Sequence, residues 1–96
     1  MTSNFMDRDD RDKLNIQIMK LKGISLDSMM TYKDYADNIS TAWELLLESG
    51  DAHIALENNN GLWWCLIGEF PNTQWIGEGE TAPIAICKAY LKWKQE

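Results

Sequence analysis

The residues best suited to chemistry in this 96-residue sequence are few: one histidine, His53, and two cysteines, Cys65 and Cys87. Any Cys–His or Ser–His nucleophile pair would have to use His53, because there is no second imidazole. Cys65 sits in the apolar run Leu62-Trp63-Trp64-Cys65-Leu66-Ile67, and Cys87 among Ile84, Ile86 and Leu91. Burial in such surroundings raises a thiol's pKa and makes it inert. A zinc site fares no better. It would draw His53, Cys65, Cys87 and a fourth ligand from scattered elements, without the close CxxC or HxxxH pairs that usually build one. The expectation is a protein with no catalytic residue, metal or cofactor, which acts by binding.

Binding chemistry then falls to the aromatics and to one helix start. Glu78-Gly79-Glu80 leads into Thr81-Ala82-Pro83, a helix N-terminus whose amides could hold a phosphate beside the Thr81 hydroxyl. The two carboxylates oppose an anion there, and capping by Thr81 and Glu80 is the stronger expectation. Five tryptophans suit a small core, which gains much buried area from each, but large aromatics are also favoured at interfaces and pockets. Trp43 lies on a helical apolar face and is expected in the core. Trp63 and Trp64 are strand neighbours and point to opposite faces, one under each helical layer. Trp75, on a short edge strand beside glycine-rich turns, is the tryptophan expected at a pocket or subunit interface. Tyr32 and Tyr35, with Met29 and Met30, would form a lid or a dimer contact. The candidate ligand-binding residues are therefore Trp75, Tyr32, Tyr35, Trp43 and Thr81, whose rings offer stacking faces to a planar group such as a nucleobase.

The elements that must position these residues follow from periodicity. After a loose tail at residues 1–6, a first helix begins at Asp7. Asp7, Asp9 and Asp10 stand near its positive end, Leu14, Ile18 and Leu21 form its stripe, and Gly23 stops it. The link from Ile24 to Ala36 is too apolar for an idle spacer and should lie on the body of the domain. Asp37 or Asn38 caps a second helix to about Ser49, with Ile39, Ala42, Trp43, Leu46 and Leu47 on one face. A strand at His53–Glu57, a turn at Asn58-Asn59-Asn60-Gly61, an apolar strand at Leu62–Ile67, a turn at Phe70–Thr73 and a short strand at Gln74–Ile76 then make an antiparallel meander. A glycine-rich loop at Gly77–Glu80 precedes the last helix, from the Thr81 cap to about Lys94. The order is α-α-β-β-β-α. Because the central strand is apolar on both faces, the expected class is α+β, an α/β/α sandwich with helices covering the sheet.

Length and charge bound the partners. Ninety-six residues make one domain, expected over 7–96 behind the tail, with a modest core that oligomerisation would help. A net charge of −6, from 15 acidic and 9 basic side chains, disfavours nucleic-acid binding. The α-β-β-β-α portion has the order of a double-stranded RNA-binding domain, yet Glu78 and Glu80 occupy the position where such a domain needs basic residues. No apolar run approaches membrane-spanning length. Free thiols fit a reducing cytosol, and a cytoplasmic protein is expected.

Several segments carry a resemblance: Asp37 with Ala42-Trp43-Glu44-Leu45, Trp63-Trp64-Cys65, and above all Gly79-Glu80-Thr81-Ala82-Pro83-Ile84-Ala85-Ile86-Cys87-Lys88-Ala89. Over about residues 12–94 the chain resembles the phage ABA-sandwich domain family, small proteins of phage and prophage genomes. The resemblance implies that fold and a phage context, hence host cytoplasm, and no reaction. In that context two functions are expected of a small, non-catalytic chain. One is a homo-oligomeric anti-defence protein sequestering a small nucleotide-derived host immune signal. The other is an acidic inhibitor of a host defence nuclease complex, presenting a face of residues such as Asp27, Asp34, Glu44, Glu48 and Asp51 in mimicry of nucleic acid. Phosphate binding would need Arg8, Arg11, Lys13, Lys20, Lys22 and Lys33 to gather locally.

Overall fold

A computed structural model describes residues 8–24, 33–48, 50, 53–69 and 73–95. The tail, the Met29–Tyr32 part of the link, Asp27 and Asp51 lie outside the described residues. The element order is α1 (Arg8–Leu21), α2 (Ile39–Leu47), β1 (His53–Asn59), β2 (Leu62–Glu69), β3 (Thr73–Gly79) and α3 (Ala82–Gln95). The strands form one antiparallel sheet in the order β1-β2-β3. Both the α-α-β-β-β-α order and the meander agree with the sequence pattern.

Local signals account for the boundaries. Gly23, at φ 74°, ends α1, and the Ile24 N–H returns to the Met19 carbonyl at 2.9 Å, closing the last turn. Of the two possible caps for α2, Asn38 is used: its side-chain oxygen accepts from Thr41 N at 3.1 Å. Asn60 and Gly61, at φ 57° and 86°, make the two-residue turn between β1 and β2, and both angles match the twist a tight hairpin requires. Thr81 caps α3, its Oγ1 accepting from Ile84 N at 3.4 Å.

α3 is the centre of the core. It lies against β3 and β2, and α1 and α2 pack against α3. Its residues Ile84, Ala85, Ile86, Cys87, Ala89, Tyr90 and Leu91 are buried, together with Leu14, Ile18 and Met19 of α1, Ala42, Leu45 and Leu46 of α2, and Cys65 and Ile67 of β2. The described end of the link lies on the body, since Tyr35 and Ala36 are fully enclosed. Buried Asn15 secures them: its Oδ1 accepts from Ala36 N at 2.8 Å and its Nδ2 donates to Asp34 at 3.0 Å. At the far end Glu48 gathers Lys22, Lys94 and the Tyr90 hydroxyl, the last at 3.0 Å, so α1, α2 and α3 meet at one carboxylate.

Three expectations change. β3 runs through Gly77 to Gly79, where the glycines suggested a loop. These glycines are there for space: a Cβ on Gly77 would fall among the α3 backbone atoms of Ala85, Lys88 and Ala89, and one on Gly79 would meet Ile84. Trp43, expected in the core, is 46% exposed; α2 buries Ala42, Leu45 and Leu46 and turns Ile39, Trp43 and Leu47 outward. Among the described residues the covering of the sheet is also uneven. The strand residues packed against the core are Leu56, Cys65, Ile67, Trp63 and Trp75, all on the face toward α3.

Candidate binding face

The register defines the opposite face of the sheet. Side chains alternate along each strand, and directly paired residues share a face. Leu56, Cys65 and Gly77 form one row beneath α3, as do Ile54, Ile67 and Trp75. The intervening residues point the other way, in a row Glu57–Trp64–Glu78 and a row Ala55–Leu66–Ile76, with Leu62 near the hairpin. Trp64 and Leu66 are half-buried, whereas Leu62 and Ile76 are each 38% exposed. None of these side chains joins the core. The result is an apolar strip with an indole at its centre and a carboxylate on each side. Glu57 and Glu78 are exposed and make no ion pair among the described residues.

At one corner Leu62, Glu78, Gly79 and Lys88 line a shallow groove of about 250 Å³. Lys88 reaches it from α3. Farther along the same edge the Lys92 ammonium donates to the Ile76 carbonyl at 2.6 Å.

The four candidate residues that are described, Trp75, Tyr35, Trp43 and Thr81, do not come together around one cavity. Trp75 is half-buried under α3, on the face away from Trp64. Tyr35 is fully enclosed. Burial, followed by the field of Glu44, Glu48 and Cys87, pushes its phenol up to about 12, and its hydroxyl has no hydrogen-bond partner among the described residues. Trp43 stands on the outer side of α2, and the Thr81 hydroxyl is engaged as a cap. Tyr32 lies outside the described residues. Sequence reasoning missed Trp64, Leu66, Ile76, Glu57 and Glu78 as a surface. A signal was present, because the strands beside Trp64 and Leu66 place Glu57, Asn59, Gln74 and Glu78 on that face, the polar alternation of a sheet side that meets water.

The charges are arranged in pairs. Arg11 meets Asp37 at 3.2 Å, Lys33 meets Glu44 at 3.6 Å, and Lys22 meets Glu48. Arg11, Lys22 and Lys33 are thus each held by a carboxylate instead of gathering for a phosphate, and Asp34, Glu44 and Glu48 have internal partners. Burial pushes the Cys65 thiol up to about 11 and Cys87 higher still, so neither is a nucleophile near neutral pH. Among the described residues no group of three His, Cys, Asp or Glu is placed to hold a metal, and no helix is long and apolar enough to cross a membrane.

Comparison with known proteins finds one family. No curated protein and no solved structure shows significant similarity to the chain. The model of the phage ABA sandwich domain matches residues 12–91, most of the 96 and nearly every described element, and the family is not a known enzyme family. The chain belongs to the phage ABA sandwich domain family.

Proposed function

We propose that this protein is a non-catalytic phage accessory protein that acts against host defence in the host cytoplasm, by docking a partner protein on the open face of its sheet. The observation that carries the proposal is the strip of Leu62, Trp64, Leu66 and Ile76 turned away from the core and bordered by Glu57 and Glu78. A central indole in an apolar patch with a charged rim has the composition of a protein-binding hot spot. The carboxylates select a partner with an apolar centre and basic flanks, and the basic groove of a host defence nuclease complex has that chemistry. The pairing of Arg11, Lys22 and Lys33 with carboxylates weighs against a phosphate-rich ligand.

One observation favours a second function, sequestration of a small nucleotide-derived host signal. The groove of about 250 Å³ at the corner of the same face brings one ammonium, Lys88, beside apolar Leu62. Native mass spectrometry of the full chain purified from infected host cells separates the two. A stoichiometric protein partner that is lost in Trp64→Ser and Ile76→Glu, each checked for folding by circular dichroism, supports docking. A bound small molecule lost in Lys88→Ala, with no protein partner, supports sequestration and refutes docking. Turnover of a nucleotide by the pure protein refutes both.

A further inference from the structure

The two edges of the sheet are unequal. In a two-residue hairpin the flanking pair, Asn59–Leu62, exchanges its hydrogen bonds, and bonding alternates from there along the ladder. Glu57 and Ala55 therefore bond to β2, and the N–H and C=O groups of Ile54, Leu56 and Asn58 point outward. The same alternation across β2 turns the Ile76 carbonyl of β3 outward, where Lys92 donates to it at 2.6 Å. α3 packs over β3 and sets Lys92 on that edge, the kind of lysine guard that discourages strand pairing. No comparable cover lies on β1 among the described residues, and no hydrogen bond there reaches its outward groups. Exposed edges are usually protected by charge, above all lysine, by proline or by a bulge. His53–Asn59 contains no lysine or proline, carries the single carboxylate Glu57, and pairs with β2 position for position, without a bulge.

We propose that β1 is the interface of a symmetric dimer. It pairs antiparallel with β1 of a second copy about Leu56, joining two three-stranded sheets into one. In this register Leu56 faces Leu56 of the second copy, Ile54 faces Asn58, and Ala55 faces Glu57. Every outward N–H and C=O of Ile54, Leu56 and Asn58 then finds a partner. The register is selected by charge and length. Sliding two residues one way sets Glu57 directly opposite Glu57, a repulsive cross-strand pair. Sliding the other way carries Asn58 past the start of the strand at His53. The self-complementary register identifies the occupant as a second copy of this chain. With β3 guarded, pairing consumes the open edge of both copies and stops at two. The two open faces become continuous, with their Trp64 residues three strand spacings apart across the sheet and offset by two residues along it, roughly 16 Å in all.

Light scattering after size exclusion of the full chain, over a concentration series, tests the dimer. Its expected mass is twice the 11.1 kDa of one chain. Ile54→Lys halves that mass, whereas Ile76→Lys, on the open face, leaves it unchanged while abolishing any partner binding there. The outcome is thus independent of the docking function. The register is read by A55C/E57C, which cross-links into a covalent dimer under mild oxidation, because positions 55 and 57 oppose each other in a non-hydrogen-bonded pair whose Cβ atoms lie about 4.5–5.5 Å apart; E57C alone does not. If Ile54→Lys fails to fold, the cross-link decides. A chain monomeric at every concentration, whether or not a foreign strand adds to β1, overturns the proposal. So does a dimer indifferent to Ile54→Lys in folded form, a dimer that A55C/E57C leaves uncross-linked, or cross-linking by E57C alone.

Discussion

Replacing Gly77 by alanine tests the close seating of α3 on the sheet. The new methyl would lie 2.8 Å from the Lys88 carbonyl carbon and nearer still to Ala89 N and Ala85 O. All three are backbone atoms of a helix buried on this side, so no flexible side chain can swing away. α3 must lift from β3 or β3 must bend. Overpacking of a core costs about 1–3 kcal/mol, and backbone obstruction puts this site at the upper end. Against it stands about 0.5–1 kcal/mol recovered when a strand glycine becomes alanine. The net loss is about 2 kcal/mol, which for a domain of this size lowers Tm by roughly 8–16 °C. Urea unfolding followed by tryptophan fluorescence, with a thermal melt by circular dichroism, measures it. Because the obstacle is backbone, adding Ala89→Gly brings no rescue. A Gly77→Ala protein as stable as the parent, or one restored by Ala89→Gly, would refute the account of why β3 carries glycine.

Asn15→Ala removes both anchors of the link and leaves the Ala36 N–H buried without its acceptor, so stability to urea should fall by about 1–3 kcal/mol while the far-UV spectrum of the folded protein stays unchanged. The thiols give a pH signature. Cys65, Cys87 and Tyr35 all have folded pKa values above their unfolded ones, so their protons favour the folded state. That contribution is complete below the unfolded thiol value near pH 9 and declines as pH rises toward 11 and 12. Stability measured from pH 8 to 11 should therefore fall. At pH 8 neither thiol should react with a disulfide reagent until urea unfolds the chain.

Much of the fold was legible because its signals are local. The Asn60-Gly61 turn, the Asn38 and Thr81 caps and the Gly23 stop each act within a few residues of themselves, and each lies where the pattern put it. The misread features depend on distant neighbours. Gly77 and Gly79 have the composition of a loop, and only the backbone of α3 above them explains why they are strand. On α2 the apolar residues are more numerous than one face can hold, so Trp43 looked as buried as Leu46 although α3 takes Ala42, Leu45 and Leu46. For the candidate site, the run from Leu62 to Ile67 argued for helices on both faces. Apolar character alone does not separate a side chain that packs inside from one kept at the surface for a partner. The polar alternation of β1 and β3 carried that distinction, and it was outweighed by the run between them.

The central place of α3 also has a bearing on biosynthesis. α1 and α2 leave the ribosome before the helix that covers their apolar sides, so Leu14, Ile18, Met19, Leu45 and Leu46 have no lasting shelter until Ala82–Gln95 has emerged and settled on the hairpins. The nascent N-terminal half thus keeps these apolar side chains uncovered by α3 during synthesis, and its helices take their final seats only after the strands that precede α3 have been made.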